Sequence, residues 1–257
     1  MGLEPHIKNN MDELTTLKKE NEELKKHNAV KSDLISISAH QLRTSLSALK
    51  WILKMLLDKD LGALSLEQES FIKKASDSNE RMITLVNDML TLNHSEDSAL
   101  TFNFKPTDIL SLIEETLFEF SGESHKKQIE TIFLKPDHQL SQVVCDREMI
   151  RVVLQNLVEN AIKYSNTGDK VFITLKEESG AIILSVRDTG IGISKEEQPK
   201  IFDKFFRAKN ATAKEIIGSG LGLFTTQNIV NHHGGKIWFE SNEDAGSTFF
   251  VSLPLTK

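Results

Sequence analysis

Residues 36–46 read SISAHQLRTSL, and this stretch decides the first part of the fold. The apolar residues that follow helical spacing along and beyond it are Leu42, Leu46, Leu49, Leu53 and Leu56. At about 100° per residue, these leucines cluster roughly 200° away from His40 around the helix axis. Thr44 lies one turn beyond His40 and shares its face. We therefore predict a helix, ending near Leu57, that buries its leucines and presents His40 and Thr44 to solvent.

A second helix is predicted after the turn residues 58–62. Ser65 and Gln68 have the spacing of a capping box. The apolar stripe that follows consists of Phe71, Ile72, Ala75, Met82, Val86, Met89 and Leu90, and it fades at residues 93–95. Two antiparallel helices cannot enclose a core alone, whereas two such hairpins paired as a four-helix bundle bury both stripes. The sequence therefore predicts an all-α hairpin that forms a homodimer through residues 31–94.

The segment before the first helix, residues 6–33, is rich in Lys, Glu and Asn. Its apolar heptad positions are Ile7, Leu14, Leu17 and Leu24. This register puts Asn21 and Asn28 at a positions, where a buried Asn favours a parallel, in-register dimer. The repeat covers only about three heptads. A coiled-coil linker at residues 1–30 and a solvated charged helix are therefore equal alternatives.

The composition excludes several classes of protein. The chain has 257 residues, 31 Lys and Arg against 37 Asp and Glu, and a formal net charge of −6. This charge argues against a nucleic-acid partner, because no basic excess attracts phosphates. The single cysteine, Cys145, cannot form an internal disulfide and fits a reducing compartment. No apolar run of about 18 residues occurs, and no signal-peptide pattern opens the chain, so no membrane span is expected.

Beyond residue 100 the pattern changes to short strands between helices. Helices are predicted at 108–120, 147–164, 199–206 and 221–232, and strands at 129–134, 142–145, 171–177, 181–188, 236–240 and 247–253. A polar link at 95–107 precedes this part, and residues 207–219 have the mixed, glycine-bounded composition of a mobile loop. We predict an α+β sandwich over residues 101–257, with helices on one face of a mostly antiparallel sheet. The hairpin domain is placed at residues 31–100.

The predicted helix at 147–164 carries Asn156, Asn160 and Lys163 on one face, at spacings of four and three. Asn is a mediocre helix former that prefers caps, so two asparagines in a helix interior suggest a compensating role. An amide oxygen is a hard ligand suited to Mg²⁺, and Lys163 could reach a phosphate as a point charge. A polar helix face in solvent is an equal alternative.

Two glycine-rich turns lie further along the chain. In the first, Asp188 could accept a hydrogen bond from a base amine, while Gly190 and Gly192 would let the backbone approach the ring. An ordinary Asx turn is the alternative. The second turn, residues 218–222, precedes a helix, so its free amides could face phosphate oxygens, or it could be a hinge. It is not a dinucleotide fingerprint, since Leu223 stands where a glycine is needed, and it is not a P-loop.

Taken together, five stretches resemble the transmitter core of sensor histidine kinases of two-component signalling, across residues 30–257. In family order they are the His box at 39–46, the Asn box at 156–164, the first glycine box at 188–192, the Phe box at 201–207 and the second glycine box at 218–222. The resemblance implies a dimeric four-helix bundle for histidine phosphotransfer, followed by an ATP-binding domain of the type shared with gyrase, Hsp90 and MutL.

This resemblance implies that ATP phosphorylates His40 and that the phosphoryl group then moves to an aspartate of a response-regulator receiver domain. It also implies the cofactors ATP and Mg²⁺. Asn160 would hold Mg²⁺, Asp188 would read the adenine amine, and Lys163 and Arg207 would contact phosphates. The upstream sensor domain is expected to lie outside this chain. The expected location is cytoplasmic, including as the cytoplasmic part of a longer membrane-bound sensor.

Further roles follow from the same resemblance. The other expected nucleotide-site residues are Asn156, Tyr164, Gly190, Gly192, Phe202, Gly218, Gly220, Leu221, Gly222 and Thr248. Thr248 would lie behind the adenine site, and residues 203–219 would form the ATP lid. Thr44 matches the position that orients a water for dephosphorylation of the partner regulator.

Two positions depart from the family pattern. Gln41 stands where the family usually has an acidic residue, and it can form hydrogen bonds but cannot act as a base. Ser45 replaces the usual proline and so removes a helix-kink site. The first departure predicts slower autophosphorylation unless another group acts as the base, and the second predicts altered bending between kinase and phosphatase states.

Two other functions compete with this interpretation. Related ATP-hydrolysing modules of chaperones, topoisomerases and mismatch-repair proteins place a glutamate one turn before the metal asparagine, where it activates water. This chain has Asn156 at that position, so the water would lack its base. The second alternative is a dimeric scaffold that binds ATP and transfers nothing, and Gln41 is the main feature that favours it.

Overall fold

The computed structural model describes residues 4–96, 102–138, 140–213 and 218–255. The chain divides into two compact units, with the boundary between residues 99 and 100. The first unit holds helices α1 (Glu4–Leu57) and α2 (Leu66–Glu96). No helix in the described part of the chain is long and apolar enough to cross a membrane.

The second unit mixes helices and strands. Its helices are α3 (Ile109–Lys127), α4 (Arg147–Tyr164), α5 (Lys209–Ala213) and α6 (Gly222–His232). Its strands are β1 (Phe104–Thr107), β2 (Glu130–Leu134), β3 (Val143–Asp146), β4 (Lys170–Glu178), β5 (Ala181–Asp188), β6 (Lys236–Ser241) and β7 (Ser247–Pro254).

Helix α1 runs without a break from the charged N-terminal segment past His40. The division of the first unit at residue 30 therefore stays a prediction, since the secondary structure does not change there. Asn21 is exposed. The other predicted heptad positions, namely Ile7, Leu14, Leu17, Leu24 and Asn28, have side chains outside the described residues.

The turn between α1 and α2 ends in the predicted capping box. The backbone N–H of Ser65 donates to Oε1 of Gln68 at 2.9 Å, and the N–H of Gln68 donates to Oγ of Ser65 at 3.2 Å. These reciprocal bonds satisfy two of the backbone donors that a helix start leaves free. The predicted start of the second helix is therefore confirmed.

A single hairpin leaves much of its apolar surface exposed. Leu53 is buried at 8% exposure, whereas Leu42 and Leu49 are 51% and 40% exposed. Met82 and Leu85 of α2 are 42% and 43% exposed. One hairpin thus buries only part of the leucine stripe, and the exposed remainder is the surface that a four-helix bundle would cover.

The second unit is built on a five-stranded sheet in the order β2-β4-β5-β7-β6. The β2–β4 pair is parallel and the other three pairs are antiparallel. Alternate residues of the three central strands are buried, and with α3, α4 and α6 they form one core. Strands β1 and β3 form a separate antiparallel pair. The predicted α+β sandwich, with helices on one face of the sheet, is confirmed.

Three predictions about individual helices and strands were wrong. Helix α3 continues to Lys127, where Gln128 ends it in the left-handed conformation at φ 56°. Part of the predicted polar link is strand β1, whose partner β3 lies about 40 residues away, so local pattern gave no signal for it. The predicted helix at 199–206 is only a 3₁₀ turn at Gln198–Lys200, and Phe205 at φ 63° is incompatible with a helix through residue 206.

Candidate active site

His40 is exposed on α1, as are Gln41 and Thr44, as the prediction requires, but Leu42 and Leu49 of the predicted buried stripe are exposed in the single hairpin as well. The neighbouring side chain of Ala39 is 1% exposed. Oγ1 of Thr44 donates to the backbone oxygen of His40 at 3.1 Å, and Oγ of Ser45 donates to that of Gln41 at 3.1 Å. Helix α1 passes through Ser45 as continuous α-helix. The imidazole of His40 is therefore accessible to a reagent from solvent.

A cleft opens in the second unit. Five residues expected at the nucleotide site line it, namely Asn160, Tyr164, Asp188, Gly192 and Arg207. The other lining residues were not among the expected site residues, and they include Ile191, Ile193, Ile201, Phe206, Asn210, Leu223, Ser247 and Phe249. Apolar walls with a few polar groups are typical of a small-molecule site.

Asp188 is the most constrained polar group of the cleft, at 5% exposure. Its Oδ1 accepts hydrogen bonds from the backbone N–H groups of Gly190 at 2.9 Å and Ser247 at 3.2 Å. Burial raises the pKa of its carboxyl group to about 6, although the two N–H donors oppose this shift. Both hydrogen bonds end on Oδ1, so Oδ2 is the oxygen available to a ligand.

The first glycine box is required by backbone packing around Asp188. A Cβ on Gly190 would overlap the backbone oxygen of Tyr164, to which Ile191 donates at 3.1 Å. Gly192 lies at φ 62°, and a Cβ there would overlap the backbone oxygen of Asn242. The structure thus shows a packing role for both glycines, and their approach to a base ring stays a prediction. They let the loop after β5 close against its neighbours.

The two asparagines of α4 have different environments. The side chain of Asn160 lines the cleft. The amide of Asn156 instead donates to the backbone oxygen of Gly222 at 3.3 Å and to Oγ1 of Thr226 at 3.4 Å. Asn156 therefore ties α4 to α6 and is not a lining residue of the cleft. This contact compensates the cost of an Asn in a helix interior.

A single amide oxygen at Asn160 fits Mg²⁺ bound mainly through a nucleotide. Among the described residues, no group of three His, Cys, Asp or Glu side chains could hold a metal ion. Mg²⁺ commonly keeps several waters and takes its remaining ligands from one or two protein groups and from substrate phosphates. The donor set of this cleft agrees with that pattern.

The second glycine box lies against the same face of α4. A Cβ on Gly218 would be 3.0 Å from Nζ of Lys163, and one on Gly222 would be 3.4 Å from Oδ1 of Asn156. Helix α6 begins directly after Leu221, which forms no side-chain cap. Its first backbone N–H groups, at the positive end of the helix, are suited to phosphate oxygens.

Two hydrogen bonds connect the described part of the predicted lid to neighbouring segments of the chain. The N–H of Phe205 donates to the backbone oxygen of Gly220 at 2.9 Å. The amide of Asn210, on α5, donates to the backbone oxygen of Gly192 at 3.1 Å and so joins the lid to the first glycine box. Asn210 had no signal in the sequence, because its partner lies 18 residues away in the chain. Residues 214–217 of the predicted lid lie outside the described residues.

Gly220→Ala is expected to destabilise the second unit and weaken nucleotide binding. Gly220 lies at φ 74°, and a Cβ there would be 2.6 Å from the backbone carbon of Phe205. The expected loss of unfolding free energy is about 2–4 kcal/mol, the sum of left-handed strain and backbone overlap. Gly168→Ala is the matched control, because Gly168 has φ 90° with open space around it. Urea unfolding and ADP titration of both variants test this, and equal losses would contradict it.

Several expected site residues do not line the cleft. The prediction that Thr248 lies at the adenine site was wrong. Ser247 and Phe249 line the cleft, so strand alternation directs Thr248 to the opposite face of the sheet. Ser247, which donates its backbone N–H to Asp188, takes the expected place. Phe202 packs against Phe239 at a ring distance of 6.0 Å. The other expected residues outside the lining are Asn156, Lys163, Gly190, Gly218, Gly220, Leu221 and Gly222.

Family models match two parts of the chain. Residues 30–98 match the His Kinase A (phospho-acceptor) domain. Residues 145–257 match the histidine kinase-, DNA gyrase B-, and HSP90-like ATPase. The first match contains His40, and the second contains every residue that lines the cleft.

Curated relatives are longer than this chain. It is 34% identical over 242 residues to the sensor histidine kinase WalK of Bacillus subtilis (strain 168), covering 90% of this chain and 38% of WalK. It is 32% identical over 228 residues to the circadian input-output histidine kinase CikA of Synechococcus elongatus, covering 88% of this chain and 30% of CikA. The chain thus spans 30% to 38% of the length of these two relatives.

One of the solved structures that resemble the chain is a single catalytic domain, and two others match most of the chain. The catalytic domain of histidine kinase ThkA is 34% identical with a TM-score of 0.53, covering 60% of this chain and 99% of that one. ThkA in complex with response regulator protein TrrA has 27% identity and a TM-score of 0.61, covering 87% and 61%. Full-length ShkA in complex with AMPPNP has 25% identity and a TM-score of 0.67, covering 86% and 45%.

Proposed function

The chain belongs to the sensor histidine kinases of two-component signalling, and from this premise we propose that it is a protein histidine kinase that phosphorylates itself on His40. The phosphoryl group then passes to an aspartate of a response-regulator receiver domain. One observation carries the proposal: Asn160, Asp188 and Arg207, distant in sequence, line one cleft, while His40 is exposed on a separate helical unit. The complexes of ShkA with AMPPNP and of ThkA with TrrA support both halves.

The cleft would bind ATP with adenine at its buried end. Oδ2 of Asp188 would accept a hydrogen bond from the adenine amine, and the apolar side chains of Ile191 and Phe249 would pack against the ring. Arg207 lines the same cleft and would approach the phosphates. The N-terminal amides of α6, beside Lys163, supply further positive potential for phosphate oxygens. Tyr164 lines the same cleft, and burial raises the pKa of its hydroxyl.

Asn160 would hold Mg²⁺ through its amide oxygen. The bound ion would supply positive charge that offsets the negative charge developing during transfer. The residues of the chain have the remaining tasks, which are to orient the nucleotide and to exclude water. Positioning and charge neutralisation account for most catalysis in phosphoryl transfer, so a site with few catalytic side chains is sufficient.

The transfer step uses the unprotonated ring nitrogen of His40 as nucleophile. A P–N bond forms to the γ-phosphorus as the bond from that phosphorus to the β-phosphate oxygen breaks, and ADP leaves. Gln41 cannot accept a proton, so the imidazole proton passes to solvent, to which this face of α1 is open. In the second step a carboxylate oxygen of the receiver aspartate attacks the same phosphorus, the P–N bond breaks, and the imidazole of His40 takes a proton back from solvent.

Two partners complete the proposal. A second copy of the chain would cover the exposed apolar face of the hairpin, within residues 31–94, and form a four-helix bundle. Domains are accordingly proposed at residues 31–100 for dimerisation and phosphotransfer and at 101–257 for ATP binding. The hydroxyl of Thr44 lies on the exposed face of His40, so we also propose that it orients a water for dephosphorylation of the regulator.

Incubation of the full chain with γ-labelled ATP and Mg²⁺ tests this function. The expected product is protein-bound label that is lost in acid and retained in base, which is typical of a phosphoramidate. The label should then move to an added receiver domain. Release of free phosphate without protein label would instead indicate an ATP-hydrolysing module. Binding of ATP with neither product would indicate the scaffold that Gln41 favours.

A further inference from the structure

Asn79 lies in the middle of the seam between α1 and α2 and is only 1% exposed. Among the described side chains of this unit, the others that are buried are those of Ala39, Leu53 and Val86. One of four buried side chains is therefore an amide. A buried amide is costly unless its donor and acceptor both have partners.

The amide of Asn79 is only half satisfied. Nδ2 donates to the backbone oxygen of Leu46 at 3.0 Å. Oδ1 is buried and accepts no hydrogen bond from the described residues. A leucine at this position would remove the unpaired acceptor, so packing alone would favour an apolar residue. A single buried Asn in a helical seam is known to fix the relative position of helices at a cost in stability.

The hydrogen bond fixes the register of the two helices. Because the two helices are antiparallel, seven residues before Leu46 on α1 correspond to seven residues after Asn79 on α2, which places Ala39 opposite Val86. The same step in the other direction places Leu53 opposite Ile72. In this register Ala39 is 1% exposed. His40, one residue further and about 100° around the helix, is exposed. A shift of α1 that replaces Ala39 in the seam with the next residue of the chain would turn His40 toward α2.

We propose that Asn79 is a positioning residue for phosphoryl transfer, whose hydrogen bond to Leu46 holds α1 in the register that presents His40 to solvent. This inference rests on the proposed function of His40 as phosphoacceptor. Asn79 acts on the imidazole only through α1. Its role is therefore distinct from that of a group that contacts ATP or the reacting atoms.

Asn79→Leu tests the proposal, with Thr131→Val as matched control. Oγ1 of Thr131, on β2, is also buried without a hydrogen-bond partner among the described residues. Both substitutions remove an unpaired polar atom, so both should raise the midpoint of thermal unfolding by about 2–8 °C. Only Asn79→Leu should lower the initial rate of labelling by γ-labelled ATP, by about tenfold, because a smaller fraction of hairpins has the competent register. ADP affinity should be unchanged in both.

A measurement of register separates this inference from the kinase proposal. The double variant Ala39→Cys/Val86→Cys should form an intramolecular disulfide rapidly under mild oxidation, and more slowly when Asn79→Leu is added. If the parent chain takes up no label, the kinase proposal fails and cross-linking alone decides the role of Asn79. Unchanged cross-linking, unchanged labelling in a labelled parent, or a lowered unfolding midpoint for Asn79→Leu would each overturn the inference.

Discussion

Replacing His40 with glutamine is expected to remove the acid-labile label from the chain, a loss of at least about a hundredfold. Glutamine keeps a polar side chain on the exposed face of α1 but offers no nucleophilic nitrogen. Because His40 is exposed and Ala39 beside it forms the hairpin core, the fold should be unaffected. The affinity for ADP should also be unchanged, since the cleft is formed by the second unit. Labelling with γ-labelled ATP and calorimetric ADP binding measure the two properties.

His27→Gln is the matched control for this experiment. His27 is also exposed on α1, and its Nδ1 lies 3.2 Å from the backbone oxygen of Glu23. The control should keep full labelling, which would show that removing an exposed histidine from this helix is harmless in itself. Acid-labile label that persists in His40→Gln would place the phosphoacceptor elsewhere and contradict the proposal that the chain phosphorylates itself on His40.

Asp188→Asn is expected to weaken nucleotide binding by about 10- to 100-fold while it stabilises the free protein. The Asn Oδ1 can still accept from Gly190 and Ser247, so the loop after β5 keeps its hydrogen bonds. Nδ2 would then stand where a ligand needs an acceptor, and two donors would face each other. The buried charge is also removed, which should raise the unfolding free energy at pH 7 by up to about 3 kcal/mol.

The pH dependence of the parent protein follows from the same carboxyl group. Its pKa is raised by burial from 3.8 to about 6. Between these values the folded state binds more protons than the unfolded state. The contribution of Asp188 to stability is therefore fully present below pH 3.8 and is lost as the pH rises through about 6. In its proposed role Asp188 accepts from adenine in the ionised form, so nucleotide affinity should fall as the pH drops below about 6.

Calorimetric ADP titrations between pH 8 and pH 5 check the expected fall in affinity as the pH drops. Urea unfolding over the same range checks the expected rise in the contribution of Asp188 to stability. Asp244→Asn is the matched control, because Asp244 is exposed and lies at φ 58°, which Asn tolerates. The control makes the same change in net charge without a change in the cleft. Equal affinity of Asp188→Asn and the parent protein for ADP would contradict the assignment of Asp188 to adenine.

Local sequence patterns predicted the features that depend on local interactions. The capping box of Ser65 and Gln68, the bounds of α4 and the bounds of β5 all follow from spacing, caps and alternation within about one element. The exposure of His40 was predicted from helical periodicity, which places it away from the leucine stripe, although one hairpin buries only part of that stripe. The order of the five motifs indicated which residues could share a nucleotide site.

Contacts between distant residues could not be predicted in this way. Asn79 interrupts a stripe of apolar residues at heptad spacing, a signal that was present in the sequence but not interpreted. Ser247 was missed in favour of Thr248, although alternation along β7 distinguishes them once one neighbour is known to face the cleft. Asn210 and Asn156 form their bonds to Gly192 and to α6 across 18 and 66 residues, and no spacing rule covers such pairs.

The sequence by itself determined the helical hairpin, the strand alternation and the chemistry available at His40, Asn160 and Asp188. These follow from interactions between residues that are close along the chain. Only the tertiary structure decided that Asp188 is buried with a raised pKa and that Gly190 and Gly192 are required by neighbouring backbone. Burial, dielectric environment and close backbone approach depend on which distant segments meet, and that is a property of the packed chain.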